Sequence, residues 1–246
     1  MSVSNTTPAP VALITGASRG LGETLAHFLA GQGYNLVITA RRADLLDQAA
    51  RDLTQYGGKI IALPGDVADA AHRRALAQAA QSLGRLDILI NNASVLGPTP
   101  LLTLDAYPLE QIEQVYAVNV FAPLGLVQDT LPLLKASAGL VVNISSDAAV
   151  GGYETWGGYG SSKAALDLIS RTLAGELKAA GVSVVSVDPG DLQTDMHQQA
   201  FPGEDISNLP KPDGTLPFWA WLLGQDRTAI TGGRYQAQAE RWEVPQ

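Results

Sequence analysis

The chain has 246 residues, 46% of them hydrophobic and 16% charged, which is enough apolar content for one large core and too little length for two ordinary domains. Sixteen Lys and Arg against 24 Asp and Glu leave a formal charge of −8, so neither a nucleic-acid backbone nor an anionic bilayer is attracted in a sequence-independent way. Without cysteine there are no disulfides, thiolate metal ligands or cysteine nucleophile, and His27, His72 and His197 are too scattered to suggest a metal site.

The first ten residues are polar, carry Pro8 and Pro10, and lack the basic start and apolar middle of a secretory signal. A flexible segment over 1–10 and a cytosolic protein are expected. From Val11 onward short apolar runs alternate with amphipathic stretches, the rhythm of strand, helix, strand around a parallel sheet. Val11–Thr15, Asn35–Ala40, Lys59–Pro64, Leu86–Asn91, Leu140–Ser145 and Val182–Asp188 read as strands, with a late one near Ile230–Tyr235. They are apolar nearly throughout, as strands covered on both faces are. Leu21–Ala30, Ala43–Gln55, Ala70–Leu83, Leu109–Leu134 and Tyr159–Ala180 read as helices, with stop signals at Gly31 and Gly33, Gly57 and Gly58, and Gly181. The expected fold is α/β: a Rossmann-like, doubly wound, mostly parallel seven-stranded sheet with helices on both faces, in one domain over 11–246. Ligands on such sheets bind beyond the carboxyl ends of the strands. The rhythm breaks at 191–216, where Pro202, Pro210 and Pro212 lie, and this reads as a long functional loop. Phe218, Trp219 and Trp221 then read as part of a packing helix over Leu216–Leu223.

Strand one runs straight into Thr15-Gly16-Ala17-Ser18-Arg19-Gly20-Leu21-Gly22 and then a helix. Glycines there let the backbone turn and approach a pyrophosphate, whose charge suits the free N–H groups of the helix start. Dinucleotide sites that take NAD usually place a carboxylate at the end of strand two for the ribose hydroxyls. Here that end reads Thr39-Ala40-Arg41-Arg42, and Arg19 lies in the glycine loop. Two guanidinium groups, Arg19 and Arg41, suit a 2′-phosphate, so NADP(H) is the expected cofactor. Arg42 reads as a surface charge. Asp66, after strand three, suits either the adenine amino group or a turn or N-cap role.

With these residues in place, the chain resembles the short-chain dehydrogenase/reductase family over essentially Val11–Tyr235. The matching residues are the Thr15–Gly22 loop, Asp66-Val67, Asn91-Asn92-Ala93, Asn119, Ser146, Tyr159-x-x-x-Lys163, and Pro189-Gly190 with Thr194. The resemblance implies cofactor contacts from Gly16, Ser18, Arg19, Gly20, Leu21, Gly22, Arg41, Asp66, Val67, Asn92, Ala93, Tyr159, Lys163, Pro189, Gly190 and Thr194. It also places Val95, Leu96, Tyr153, Trp156 and the 191–216 loop around a small hydrophobic carbonyl or alcohol substrate, and implies a homodimer or homotetramer. One departure is Ser94, where the family motif carries glycine.

Tyr159 and Lys163 are four apart and share one helix face. A free phenol titrates near 10, too high for a base at neutral pH, and the ammonium is expected to lower it. Tyr159 would then act as general acid in reduction and base in oxidation. Ser145 and Ser146 both end strand five. The family spacing selects Ser146, whose hydroxyl would hold the substrate oxygen. The resemblance further implies that Asn119 distorts its helix and holds a water linking Lys163 to solvent. A serine hydrolase is set aside because Ile144-Ser145-Ser146-Asp147 lacks the nucleophile elbow. The expected activity is NADPH-dependent carbonyl reduction or alcohol oxidation. The second reading is a protein that binds NADPH as a sensor or scaffold without turning it over.

Overall fold

Seven strands, β1 (Val11–Thr15), β2 (Asn35–Ala40), β3 (Ile60–Pro64), β4 (Ile88–Asn91), β5 (Leu140–Ile144), β6 (Ser183–Asp188) and β7 (Arg234–Gln236), pair in the order β3-β2-β1-β4-β5-β6-β7. Every pairing is parallel. This computed structural model describes residues 8–244, so most of the expected flexible 1–10 segment lies outside the described residues. Within that segment, the Pro10 carbonyl accepts from the Asn35 N–H at 2.8 Å and so begins the β1–β2 ladder.

Successive residues of a strand face opposite sides, so β1 feeds two separate cores. Ala12 and Ile14 join Leu36, Ile38, Ile88, Ile90, Val142 and Val185 in one of them. Val11 and Leu13 join Val37, Leu89, Val141 and Val184 in the other. The first core is covered by α1 (Gly20–Gly31), α2 (Ala43–Leu53) and an aromatic helix, α8 (Leu216–Leu223), whose Phe218 and Trp219 are fully buried. The second is covered by α3 (Ala70–Ser82), α5 (Ala122–Ala136) and α6 (Gly157–Leu177). By length and composition the continuous helix over Leu109–Ala136 could cross a membrane; here it packs along the sheet, with Val115, Val120, Leu126, Val127 and Leu134 buried.

The differences from expectation have local causes. The Leu109–Leu134 helix is α4 (Leu109–Tyr116), a π-helical turn over Ala117–Phe121, and α5. Strand four starts at Ile88, and just before it Asp87 turns its carboxylate onto the Val11 N–H at 2.8 Å and onto Arg85. The late strand begins at Arg234, since Asp226 caps the Thr228 N–H at 2.9 Å and winds Arg227–Ile230 into a short helix, α9. The 191–216 stretch is partly helical. Thr194 Oγ1 accepts from the His197 N–H at 3.3 Å and caps α7 (Asp195–Ala200), and a 3-10 turn spans Pro212–Thr215.

The edge strand β7 carries Arg234, whose guanidinium reaches three other elements. It donates to Asp167 Oδ2 of α6 at 2.9 Å, to the Ser146 carbonyl after β5 at 2.8 Å, and to Asp188 Oδ2 of β6 at 3.4 Å. Both carboxylates are buried, and burial pushes Asp188 above the usual carboxylate range. Removing one partner of a buried ion pair leaves the other uncompensated. Arg234→Met is therefore expected to lose about 3 kcal/mol in denaturant unfolding at neutral pH. Asp188, with its raised folded-state pKa, takes up a proton as pH falls, so the deficit should shrink toward acid pH. An equal deficit at all pH values would contradict this.

Candidate active site

A cleft of about 670 Å³ opens along the carboxyl edge of the sheet. Its walls include Gly16, Ser18, Arg19, Gly20, Leu21, Arg41, Asp66, Val67, Asn92, Ala93, Ser146, Tyr159, Lys163, Pro189, Gly190 and Thr194. Of the expected cofactor-binding and catalytic residues, Gly22 and Asn119 stand behind the walls.

At the centre of the cleft the end of β1 is clamped to the end of β4. Thr15 Oγ1 accepts from the N–H groups of Asn92 (3.0 Å) and Ala93 (2.9 Å), while Asn92 Nδ2 donates to the carbonyls of Thr15 (2.8 Å) and Gly16 (3.1 Å). Gly16 has φ +67°, and a Cβ there would come 2.8 Å from Asn92 Nδ2. A Cβ on Gly22 would overlap the Gly16 carbonyl oxygen. The loop is thus folded close under the N-terminus of α1, and backbone rather than side chain faces the cleft. That cradle, beside a helix N-terminus, fits a pyrophosphate.

Toward the β2 end, Arg41 is exposed and has no ion-pair partner among the described residues. Arg42 is bound instead to Asp44 in the first turn of α2, at 2.6 Å. Arg19 is paired with Asp195 of α7, across the mouth of the cleft. Asp66 Oδ1 accepts from the Ala68 N–H at 2.9 Å, a turn contact, and the residue also lines the cleft. Asp188 Oδ1 accepts from the Gly190 N–H at 3.0 Å and fixes the Pro189-Gly190 turn, where Gly190 has φ +73°.

At the other end α6 brings Tyr159 and Lys163 into the cleft one turn apart, both buried. Lys163 Nζ lies 5.5 Å from the Tyr159 ring centroid and donates to the Ile144 carbonyl at 2.7 Å. The expected lowering of the Tyr159 pKa by Lys163 is not what the protein's groups produce. Burial dominates and pushes the phenol well above 10, Asp188 and Asp147 push the same way, and only the hydroxyls of Ser94 and Ser146 oppose them. Burial also acts on Lys163, bringing it down to about 8. Ser146 donates to Asp147 Oδ1 at 3.0 Å and accepts from the Ala148 N–H at 3.2 Å, so its proton must leave Asp147 to hold a substrate oxygen.

Asn119 sits in the π-helical turn, so the expected distortion is present, but its side chain is fully engaged. Oδ1 accepts from Ser94 Oγ (3.1 Å) and the Val95 N–H (2.9 Å); Nδ2 donates to the Val95 carbonyl and to Ser162 Oγ, each at 3.0 Å. An amide has two donors and two acceptor positions, and all four are taken. Any water relay at Asn119 must therefore use its backbone carbonyl.

Val95, Leu96, Tyr153 and Trp156 line the cleft beyond Tyr159. From the 191–216 stretch only 191–197 with Ala200 and Phe201 do so, because α7 folds that part back over the cleft. Trp156 meets Tyr159 edge-on at 5.8 Å and Phe201 at 5.9 Å. Met196, Phe201, Asp195 and Arg234 carried no signal in spacing or composition; their roles arise only from how α7 and β7 fold back.

Lys163 offers a stability test. With its folded pKa near 8 and an ordinary value of 10.5, it is charged in both states below pH 8 and bears the burial penalty when folded. Between those values the unfolded chain holds the extra proton, so stability rises with pH. Lys163→Met should accordingly melt higher than wild type at pH 7, with the gap narrowing from pH 8 to 10; a constant gap would count against this.

Comparison with known proteins agrees with this geometry. A family model described as short chain dehydrogenase matches residues 10–205. A rhamnolipid-biosynthesis 3-oxoacyl-[acyl-carrier-protein] reductase of Pseudomonas aeruginosa is 35% identical over 227 residues, covering 89% of this chain and 86% of its own. A short chain dehydrogenase of Shigella flexneri 2a solved with NADP superimposes with a TM-score of 0.87 at 31% identity, over 94% of this chain and 97% of that one. One from Escherichia coli CFT073 solved with NADPH gives 0.86 at 31% identity, over 94% and 97%. With glycine cradle, Tyr-Lys pair and sheet order all in place, the chain belongs to the short chain dehydrogenase family of oxidoreductases.

Proposed function

We propose that this protein is an NADPH-dependent carbonyl reductase, running in reverse as an alcohol dehydrogenase, with Tyr159 as general acid and base. The observation that carries the reading is the convergence of Tyr159, Lys163 and Ser146 between a backbone cradle and an apolar pocket. Bound nicotinamide supplies or takes the hydride. A buried phenol whose pKa is pushed up holds its proton at neutral pH, the form needed to protonate a carbonyl oxygen. Ser146, once turned from Asp147, places a second hydroxyl on that oxygen. Lys163 keeps two of its three donor positions for other partners after bonding Ile144. Screening NADPH oxidation against ketones and aldehydes tests the assignment: Tyr159→Phe should lower kcat/KM on a turned-over carbonyl by about 10²–10⁴. Unchanged turnover would overturn the role of Tyr159, and tight NADPH binding without reduction of any carbonyl would favour the sensor reading.

Support for NADP over NAD comes from Arg19 and Arg41 flanking the β2 end, where no carboxylate stands, and from the NADP and NADPH complexes of the two similar structures. In the protein Arg19 is committed to Asp195, so a 2′-phosphate competes with that carboxylate. Asp195→Asn should tighten NADPH binding severalfold and leave NADH unchanged, and Arg19→Ala should weaken NADPH, in fluorescence titrations; equal effects on both cofactors would remove Arg19 from phosphate recognition.

The pocket favours a small, uncharged, apolar substrate. The substrate end of the cleft is lined by Asp147, Glu154, Asp191 and Asp195, with Arg19 paired to Asp195. The similar Pseudomonas aeruginosa protein is named for an acyl-carrier-protein substrate, and this acidic mouth is unsuited to an anionic carrier. The protein is read as cytosolic, and Leu109, Phe121 and Leu168, exposed on the long helices, support a homodimer or homotetramer.

A further inference from the structure

At the β3 end the cleft is walled by Gly65, Asp66 and Val67, in the turn between β3 and α3. The first turn of α3 reaches back to it through two neighbouring side chains. His72 lies against the Gly65 end: its Nε2 is 2.8 Å from Thr39 Oγ1, and a Cβ on Gly65 would come 2.4 Å from its Nδ1. Arg73 holds the other end, where Nη1 donates to the Val67 carbonyl at 2.8 Å and to the Ala68 carbonyl at 2.9 Å. The Arg73 side chain is only 16% exposed, and its guanidinium lies on Gly125 of α5. A Cβ on Gly125 would come 2.6 Å from Nε and 3.1 Å from Cζ, so only glycine leaves it room. Among the described residues Nε is buried without a hydrogen-bond partner, and Asp129 Oδ2 stands 4.0 Å from it. A buried donor left unpaired is unfavourable, and an apolar side chain would fill the space between α3 and α5 without that cost. What the guanidinium adds is its hold on the two carbonyls of the turn.

We propose that Arg73 is a positioning residue for the adenosine half of the cofactor, holding the Asp66-Val67 wall in its binding shape before NADPH arrives. The turn also closes on itself, through the Ala68 N–H to Asp66 Oδ1 at 2.9 Å and the Asp69 N–H to the Asp66 carbonyl at 3.0 Å. Neither bond ties it to a neighbouring helix. Arg73 does, because the guanidinium that binds the Val67 and Ala68 carbonyls is itself seated against α5. Ordering a loose turn during binding costs affinity, and a turn already ordered spares that cost. Arg73 does not line the cleft, so it acts through the turn and not by touching the cofactor. Tyr159, Lys163 and Ser146 are carried by α6 and the end of β5, to which Arg73 makes no hydrogen bond, and the reacting end is therefore outside its reach.

The inference rests on the proposed cofactor contacts of Asp66 and Val67, and its test is made on binding, apart from turnover. The probe is 2′,5′-ADP, the adenosine half of NADP, titrated calorimetrically into the whole protein beside NADPH. Arg73→Met should weaken 2′,5′-ADP about three- to tenfold, the worth of about one hydrogen bond, and NADPH by the same factor. Gly125→Ala keeps the guanidinium but drives it from its seat, so it should weaken both in the same way and carries the test where Arg73→Met fails to fold. The double variant should bind no more weakly than Arg73→Met, because the two changes break one interaction. Arg73→Lys should recover part of the loss. With a turned-over carbonyl, KM for NADPH should rise by the same factor while kcat stays unchanged. Unchanged 2′,5′-ADP binding in folded Arg73→Met or Gly125→Ala would overturn the proposal. So would a larger loss for NADPH than for 2′,5′-ADP, the mark of a general loosening of the cleft. Wild-type protein that binds no 2′,5′-ADP would instead overturn the placing of NADP at this end of the cleft.

Discussion

The site depends first on one clamp, the four hydrogen bonds between Thr15 and Gly16 on one side and Asn92 and Ala93 on the other. β1 and β4 are neighbours in the sheet but 73 residues apart from Thr15 to Ile88 in the chain, and the sheet order reverses between them. Such a reversal splays the connecting loops apart and opens a crevice. Left alone, the crevice would be lined by loose backbone. The clamp satisfies both strand ends and presses the glycine loop against β4, so that the N-terminus of α1 and the segment leading to Ser94 and Val95 share one frame. Everything at the reacting end of the cleft is placed relative to that frame.

Within it, the electrostatics pull in opposite directions. Tyr159 and Lys163 are buried on the same face, and burial disfavours the charged form of each, raising the phenol and lowering the ammonium. The protein's own groups leave the phenol holding its proton, while Lys163, brought down to about 8, stays charged at neutral pH. Proton donation needs no prior ionisation, whereas proton abstraction needs help from hydroxyl donors and from the positive charge of an oxidised nicotinamide. Among the protein's own groups, the hydroxyls of Ser94 and Ser146 are the ones that act against the burial of the phenol.

Much of this was legible in the sequence. Short apolar strands, the glycine loop and the Tyr159–Lys163 spacing each carry a periodic or local signature, and the parallel sheet with its carboxyl-edge site is their product. What was not legible depends on contacts between distant segments. Nothing near Thr194 shows that Asp195 will meet Arg19, and the proline-rich look of 191–216 hides a capped helix. Burial, which reversed the expected direction of the Tyr159 shift, is a property of the packed α6 and cannot be read from a four-residue spacing. Ser94 was visible only as a departure from a motif; its partner, Asn119, lies 25 residues on, in a turn whose π-helical form no propensity signals.

The position of Arg234 has a consequence for biosynthesis. Asp167 and Asp188 reach their counter-ion from the last strand of the sheet, 67 and 46 residues later in the chain. As the chain is made from its N-terminus, both carboxylates are available to pack before the guanidinium that neutralises them exists. The α6, β5 and β6 assembly that carries Tyr159, Ser146 and the Pro189-Gly190 turn cannot close in its final electrostatic state until β7 arrives. A nascent or prematurely ended chain would therefore hold Asp167 and Asp188 beside the cleft without their counter-ion, which ties the maturation of the cleft wall to the completion of the polypeptide.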